Sequence, residues 1–191
     1  EEWVKLAKEA GQKYIVITSK HHDGFAMFKS EASKYNVVDA TPFKRDVIEE
    51  LASACRKPGM KLGLYYSQAQ DWYHPGGARH GDKLWDNGQK GDMMEYIKKI
   101  ALPQVKEILS KYGDIAVLWW DTPTDMTPEM SKMFGEVIAE YPNLITNNRL
   151  GGGVEGDLET PEQYIPATGY KDRNWEVCMT MNGHWGYNAY D

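Results

Sequence analysis

The chain has 191 residues, of which 41% are hydrophobic and 26% charged, which is enough for one domain with a core and too ordinary for disorder. Its formal net charge of -6 and its lack of long Lys/Arg clusters argue against nucleic acid as a partner. No apolar stretch approaches the length of a membrane span, so we expect no membrane contact.

Cys55 and Cys178 lie far apart in core-like patterns. We expect buried thiols there, although the sequence leaves a disulfide open.

Apolar periodicity predicts helices and strands in alternation along the chain. The predicted helices cover residues 2–10, 45–57, 91–113 and 127–140. The predicted strands cover residues 13–20, 61–67, 115–121, 144–149 and 175–182. Asp46 is expected to cap the second helix and Pro103 to kink the third. One apolar face of the first helix is expected to carry Trp3, Leu6, Ala7 and Ala10.

The five strands are expected to lie parallel, because each connection is long enough for a right-handed crossover. Polar and aromatic residues follow every strand, a pattern that fits the rim of a barrel better than one switch-point crevice. A complete (β/α)8 barrel usually needs about 250 residues. The sequence therefore predicts an α/β fold, a partial (β/α)8-like (TIM-type) barrel of about five parallel strands. Residues 1–191 form one segment without an internal boundary, and its open sheet edges would be prone to pair with another copy.

Asp121 ends the run IAVLWWD at residues 115–121, a strand apolar enough to be buried on both faces. A charged residue at the end of such a strand is rarely placed there for stability. The C-terminal ends of parallel strands face the loops that form active sites, so Asp121 is a catalytic candidate. The alternative is that Asp121 caps the turn TPTD that follows it.

Two histidines, His21 and His22, follow the first predicted strand in the motif HHDGF, where Gly24 permits a sharp departure into the loop. They are expected to converge on the same site as Asp121. Adjacent histidines are poorly spaced for zinc, so no metal is expected and hydrogen bonding to substrate hydroxyls is the better interpretation. Histidines that only solvate a loop are the alternative. Seven Trp and twelve Tyr against four Phe give a weak indication of sugar binding.

A retaining glycosidase needs a second carboxyl group as acid/base, and three glutamates are candidates. Glu162 is the first choice, because it lies in a loop segment that could close over a sugar. Glu176 begins a predicted strand, which in a barrel would place it away from the chemistry, and an ion pair with Arg173 or Lys171 is its alternative role. Glu159 is the third candidate, and it could simply flank a turn.

A series of motifs runs along the chain in an order that resembles the α-L-fucosidases of glycoside hydrolase family 29. In chain order the motifs are HHDGF, GLYYS with DW after it, LWWD, NNR, TPEQY, WE and WGYN. The resemblance implies a (β/α)8-like barrel followed by a β-sandwich. It also implies hydrolysis of terminal α-L-fucosides with retention of configuration, through a covalent glycosyl-enzyme. The family's first strands, an upstream fucose-binding histidine and the sandwich have no counterpart here, so we expect a fragment of a longer enzyme.

Carried over by motif, the resemblance implies that Asp121 is the nucleophile and that His21 and His22 hold the fucose hydroxyls. Tyr65 in GLYYS matches a tyrosine of the sugar pocket, and Arg149 in NNR matches an arginine close to the acid/base. Glu162 and Glu176 match two different placements of the acid/base in the family. Trp119 and Trp120 are expected to shape the pocket.

The expected substrates are fucosylated oligosaccharides or glycoconjugates, and no cofactor is expected. The family resemblance implies a periplasmic, secreted or lysosomal location. One alternative function is a sugar-binding protein that kept the pocket and lost the chemistry. Another is a metal-dependent hydrolase, which would lose its function on chelation.

Overall fold

A four-stranded parallel sheet forms the centre of the computed structural model, which describes residues 1–79, 84 and 86–190. The strands lie in chain order: β1 (Tyr14–Lys20), β2 (Lys61–Tyr66), β3 (Ile115–Trp120) and β4 (Ile145–Thr146). A second, two-stranded parallel sheet pairs β5 (Leu158–Glu159) with β6 (Asn174–Trp175). The predicted α/β fold with a parallel sheet is confirmed. Within the described ranges the strands form these two sheets and no closed barrel.

In the part of the chain that the structure describes, six α-helices connect or flank the strands: α1 (Glu2–Glu9), α2 (Val37–Ala40), α3 (Val47–Arg56), α4 (Met93–Tyr96), α5 (Leu102–Lys111) and α6 (Pro128–Ile138). A 3-10 turn (Asn87–Gln89) precedes α4, and a π-helical segment (Ile97–Ala101) joins α4 to α5. Asp46 caps α3 as predicted, since its side chain accepts from the backbone N–H of Glu49. Proline has no N–H to bond the preceding turn. The helix predicted at 91–113 therefore changes to π-helical geometry just ahead of Pro103 instead of running on as one α-helix.

The last two predicted strands are much shorter than expected. The strand predicted at 144–149 contains only β4, and the one predicted at 175–182 ends at Trp175 and pairs with β5, outside the main sheet. Beyond the end of β4, hydrogen bonds of the Asn147 side chain to the backbone of β3 replace the pairing between the two strands. Asn147 Oδ1 accepts from the backbone N–H of Trp120 at 2.8 Å, and its Nδ2 donates to the Trp120 carbonyl at 2.9 Å. A backbone bridge from Asn147 to Leu158 links the two sheets.

The two faces of the sheet have different partners, because successive side chains of a strand point to opposite sides. One face packs against α3, α5 and α6 and forms the apolar core. It carries Leu62, Leu64, Tyr66, Leu118 and Trp120. The opposite face lines a cavity with Val16, Thr18, Tyr65 and Trp119. Helices on one face and a cavity on the other are typical of a barrel wall.

The apolar face predicted for the first helix is wrong. Trp3 and Leu6 are 70% and 68% exposed, while Val4 and Ala7 are the buried residues of α1. Ala7 is the only residue that the predicted and observed faces share. A helical period defines a stripe of side chains, but it does not show which of two neighbouring stripes meets the core.

A buried ion pair lies beneath the loop that follows β1. Lys20 and Asp71 are fully buried, with Lys20 Nζ 3.0 Å from Asp71 Oδ2 and 2.8 Å from the Tyr96 hydroxyl. Asp71 also accepts from His74 Nδ1 at 2.8 Å. Burial alone would raise the pKa of Asp71, but the Lys20 charge and the His74 contacts lower it. Gly24 packs so closely here that a Cβ would lie 2.3 Å from Asp71 Oδ1.

Replacing Lys20 by methionine should leave the Asp71 carboxylate buried without its cation. We expect the free energy of unfolding, measured by urea denaturation, to fall by about 3–5 kcal/mol. Lys5→Met is the control, because Lys5 pairs with Glu9 on the surface at 3.9 Å and should change stability little. Equal unfolding midpoints for the two variants would show that the buried pair does not stabilise the fold.

Candidate active site

The residues at the C-terminal ends of the strands surround one cavity of about 930 Å³. Its walls come from β1, β2 and β3 and from the segments that follow β1, β3, β4, β5 and β6, the arrangement that the carboxyl ends of parallel strands produce. Seven of the predicted site residues line it: His21, His22, Tyr65, Trp119, Asp121, Arg149 and Glu162. Glu176 lines it as well, together with Val16, Thr18, Thr122, Pro123, Cys178, Trp185 and Gly186.

Asp121 directly follows β3, and hydrogen-bond donors surround its carboxylate. Oδ2 accepts from the Tyr65 hydroxyl at 2.6 Å, and Oδ1 accepts from Arg149 Nη1 and the Thr122 backbone N–H, each at 2.9 Å. Thr122 has a φ of +48°, which a threonine rarely adopts, so the chain turns sharply after the carboxylate. The alternative role of Asp121, capping of the turn that follows it, explains only the bond from the Thr122 N–H. The following helix α6 does not need Asp121 as its cap, because Thr127 caps it. Asp121 therefore presents a fixed and only partly exposed carboxylate to the cavity.

Arg149 joins two carboxylates through one nitrogen atom. Its Nη1 lies 2.9 Å from Asp121 Oδ1 and 2.8 Å from Glu162 Oε2. The rest of the guanidinium is fixed by Thr160, which accepts from Nε at its hydroxyl and from Nη2 at its carbonyl, and by the ring of Trp119 at 4.8 Å. Burial would lower the pKa of Arg149, but its bonds to Asp121 and Glu162 outweigh this effect and raise it. The nearest oxygens of the two carboxylates are thus less than about 6 Å apart.

The three candidate glutamates differ in their surroundings. Glu162 is 44% exposed and faces the cavity beside Arg149. Glu176 also lines the cavity, contrary to the expectation that it lies away from the chemistry, because β6 ends at Trp175 and Glu176 follows the strand instead of beginning it. Its carboxylate accepts from Trp119 Nε1 at 2.5 Å and from the Tyr14 hydroxyl.

Glu159 is not among the residues that line the cavity. Its carboxylate pairs with Arg173 Nε at 2.8 Å and accepts from Asn148 Nδ2 at 2.5 Å. Arg173 also pairs with Glu155, so Arg173 has Glu155 and Glu159 as its ion-pair partners instead of Glu176, for which a pair with Arg173 or Lys171 was the alternative role.

His21, His22 and Tyr65 meet at the ends of β1 and β2. The His21 ring stacks on Tyr65 with centroids 5.4 Å apart, and it lies 4.1 Å from the His22 ring. His22 contacts Ser67 through Nδ1 at 2.7 Å, and its Nε2 is 3.7 Å from Asp121 Oδ2. Burial and the neighbouring Asp121 raise the pKa of Tyr65, so its hydroxyl stays protonated and remains a donor.

Of the two tryptophans expected in the pocket, only Trp119 lies there. Trp119 stacks on Tyr65 at 5.5 Å, on the cavity face of the sheet. Trp120 is fully buried on the opposite face, where its ring packs against Phe134 and Tyr66. Neighbouring residues of a strand point to opposite sides, so the two indoles cannot share one pocket.

Several site residues were not identified from the sequence. Gln68 is buried and connects two walls of the site, since its Oε1 accepts from the Asp121 backbone N–H and its Nε2 donates to the carbonyl of Arg149. Trp185 lies in the WGYN motif, which supported the family resemblance but had no assigned role. Cys178 is half-buried and lines the cavity. Burial raises the pKa of this thiol to about 11, and both cysteines are free.

His21, His22 and Asp121 place potential metal-ligand atoms within 4.8 Å of one another. The surroundings do not fit a resident cation. Both oxygens of Asp121 already accept hydrogen bonds, and one of these comes from the Arg149 guanidinium at 2.9 Å, a positive charge where a metal would bind. This donor set favours an organic ligand rich in hydroxyl groups.

Residues 1–191 match the family described as Alpha-L-fucosidase. A putative α-L-fucosidase of Caenorhabditis elegans is 32% identical over 198 residues, which cover 97% of this chain and 38% of that protein. The plasma α-L-fucosidase of Homo sapiens is 31% identical over 199 residues, which cover 97% of this chain and 40% of that protein. The chain thus spans about two fifths of the length of these curated relatives.

Solved structures of α-L-fucosidases have the same fold over most of this chain. Isoenzyme 1 from Paenibacillus thiaminolyticus aligns with 100% of the chain and 50% of its own, with a TM-score of 0.87 and 40% identity. The enzyme from Vibrio sp. strain EJY3 aligns with 97% of the chain and 34% of its own, with a TM-score of 0.88 and 36% identity. The Lactobacillus casei enzyme in complex with its α-L-fucose product covers 84% and 54%, with a TM-score of 0.76 and 42% identity.

Proposed function

Since the chain belongs to the α-L-fucosidase family, we propose that it carries the catalytic centre of a retaining glycosidase that hydrolyses terminal α-L-fucosides. The similar Lactobacillus casei enzyme was solved with α-L-fucose, and related structures of it contain a fucosyl-(1,6)-GlcNAc disaccharide and a nitrophenyl fucoside. These ligands support fucosylated glycans as the substrate class. No cofactor is needed for the proposed reaction.

The observation that carries this proposal is the pair of carboxylates held by Arg149. Retaining glycosidases have their two carboxyl groups about 5–5.5 Å apart, whereas inverting enzymes leave about 6.5–9.5 Å for a water molecule. Because Asp121 Oδ1 and Glu162 Oε2 both contact Nη1 of Arg149, at 2.9 Å and 2.8 Å, these two oxygens are at most about 5.7 Å apart, which is closer than the inverting range and compatible with the retaining one. This spacing supports a double displacement.

In the first step, an oxygen of Asp121 attacks the anomeric carbon and the bond to the leaving oxygen breaks. Glu162 acts as the acid and gives that oxygen its proton. In the second step, Glu162 takes a proton from water, and the resulting hydroxide oxygen displaces Asp121 from the sugar. Arg149 balances the Asp121 charge before attack and after release, and the neutral Tyr65 hydroxyl stabilises the carboxylate by donating a hydrogen bond.

The rest of the cavity suits a deoxy sugar. Fucose has three free hydroxyls and a methyl group at C6 when it is bound as a glycoside, so it needs polar contacts beside an apolar surface. His21 and His22 offer ring nitrogens, and Trp119 and Trp185 offer aromatic faces in the same cavity.

We also propose that the sheet is part of the wall of a (β/α)8-like barrel. Four features of the fold support this: parallel strands in sequential order, helices on one face, a cavity on the other face, and site residues at the carboxyl ends of the strands.

Replacing Asp121 by glycine should abolish turnover of an aryl fucoside, because no other carboxylate is held at the same place. Azide should then restore activity by entering the space of the missing side chain, and the product should be β-fucosyl azide, with inverted configuration. Release of the aryl group and NMR of the azide are the measurements. Fucose binding with no turnover in the wild-type protein would instead favour a sugar-binding protein without chemistry.

Replacing Glu162 by alanine should remove the general acid and lower kcat on a fucosyl disaccharide by about 10²–10⁴-fold. The effect on a nitrophenyl fucoside should be far smaller, because nitrophenolate leaves without protonation. Azide should give α-fucosyl azide, with retained configuration, since Asp121 remains. Glu159→Ala is the matched control and should keep kcat close to wild type. If Glu176→Ala and not Glu162→Ala shows this pattern, the acid/base is Glu176.

A further inference from the structure

A buried serine fixes the ring of His22. Ser67, which follows β2 and is fully buried, places its hydroxyl oxygen 2.7 Å from His22 Nδ1. The same hydroxyl donates to the backbone carbonyl of Gln70 at 2.9 Å. A hydroxyl has one hydrogen and a carbonyl oxygen can only accept, so the hydrogen of Ser67 is committed to Gln70. His22 Nδ1 must therefore carry the hydrogen of its own bond to Ser67.

The Gln70 carbonyl is held by the buried ion pair beneath the cavity. Gln70 is 3% exposed, and its carbonyl oxygen lies 3.5 Å from Lys20 Nζ, which Asp71 fixes at 3.0 Å. The nearby cation keeps this carbonyl oriented as an acceptor. The direction of the Ser67 hydroxyl is consequently set by buried groups of the protein, and the orientation of His22 follows from it.

The other ring nitrogen of His22 faces the nucleophile. Nε2 lies 3.7 Å from Asp121 Oδ2, and it forms a hydrogen bond of 3.3 Å with Thr122 Oγ1, whose hydroxyl can be the donor. In a neutral imidazole one nitrogen carries the hydrogen and the other accepts, so a protonated Nδ1 makes Nε2 the acceptor. A separation of 3.7 Å from the carboxylate is too long for a hydrogen bond, as expected between two acceptors.

We propose that Ser67 is a positioning residue that holds His22 in the Nδ1–H tautomer, so that His22 Nε2 accepts a hydrogen bond from a sugar hydroxyl, in place of the Thr122 hydroxyl, instead of donating one. This inference rests on the proposed function, because the hydroxyl is one of the fucosyl unit. A hydroxyl that reaches Nε2 also lies beside Asp121, close to the carbon that is attacked. Sugars that carry a donor at this position are therefore favoured over analogues that lack one.

The tautomer can be measured directly from the ¹⁵N shifts of the imidazole nitrogens in mildly alkaline buffer, where imidazoles are ordinarily neutral. The resonances of His22 are assigned by their loss in His22→Gln. We expect a protonated Nδ1 and an unprotonated Nε2 in the wild-type protein. A protonated Nε2 would overturn the proposal. The measurement does not depend on turnover, so an inactive protein would refute the proposed function and leave this test intact.

Ser67→Ala tests the consequence for catalysis. It should give His22 a mixture of tautomers and lower kcat/KM by about tenfold, the loss expected for one weakened substrate hydrogen bond. Ser67→Thr keeps the hydroxyl and should recover most of that loss. Ser19→Ala is the matched control, because Ser19 is equally buried and donates to the Tyr65 carbonyl at 2.6 Å without contacting a histidine through its hydroxyl. Unchanged His22 resonances in Ser67→Ala, with equal losses in both alanine variants, would refute the role of Ser67.

Discussion

The contact on which the site depends is the bridge that one nitrogen of Arg149 makes between Asp121 and Glu162. Two carboxylates that face one cavity repel each other, and a cation between them removes most of that cost. The guanidinium is planar and holds its five donors in fixed directions, so its bonds to Thr160 determine where Nη1 lies. The bridge therefore sets the distance between the carboxylates as well as balancing their charge, and that distance decides which kind of glycosidase the site can support.

The sheet beneath this bridge explains why the groups meet. Parallel strands bring their carboxyl ends to one side, and the period of two directs Tyr65 and Trp119 into the cavity while Trp120 enters the core. Buried polar side chains then fix the loops that follow the strands. Gln68 connects the backbone at Asp121 with that at Arg149, and the Lys20–Asp71 pair lies under the loop that carries His22. A change in any of these buried groups would reach the cavity through hydrogen bonds, without contact with a ligand.

Much of the site could be predicted, because strand ends and motif order are visible in a sequence. Asp121 and His22 were expected to converge, and they lie 3.7 Å apart. Other features depend on facts that a sequence pattern does not contain. Trp120 was misplaced because two adjacent tryptophans of one strand look alike until their alternation is fixed. Glu176 was misplaced because β6 ends at Trp175, so that Glu176 follows the strand instead of beginning it. Gln68 and Ser67 were missed because their contacts, which are with backbone groups and for Ser67 also with the His22 ring, leave no signature in composition or periodicity.

The central claim is that Asp121 forms a covalent bond with the sugar, and trapping the intermediate tests this most directly. A 2-deoxy-2-fluoro fucosyl fluoride should slow both steps and release of the sugar most, so that the labelled protein accumulates. The three candidate carboxylates lie on different tryptic peptides: residues 112–132 contain Asp121, residues 150–171 contain Glu162 and residues 174–191 contain Glu176. We predict one fluorofucosyl group on the first peptide, at Asp121, in mass spectrometry. A label on either of the other peptides, or turnover of the inhibitor without any label, would contradict the account.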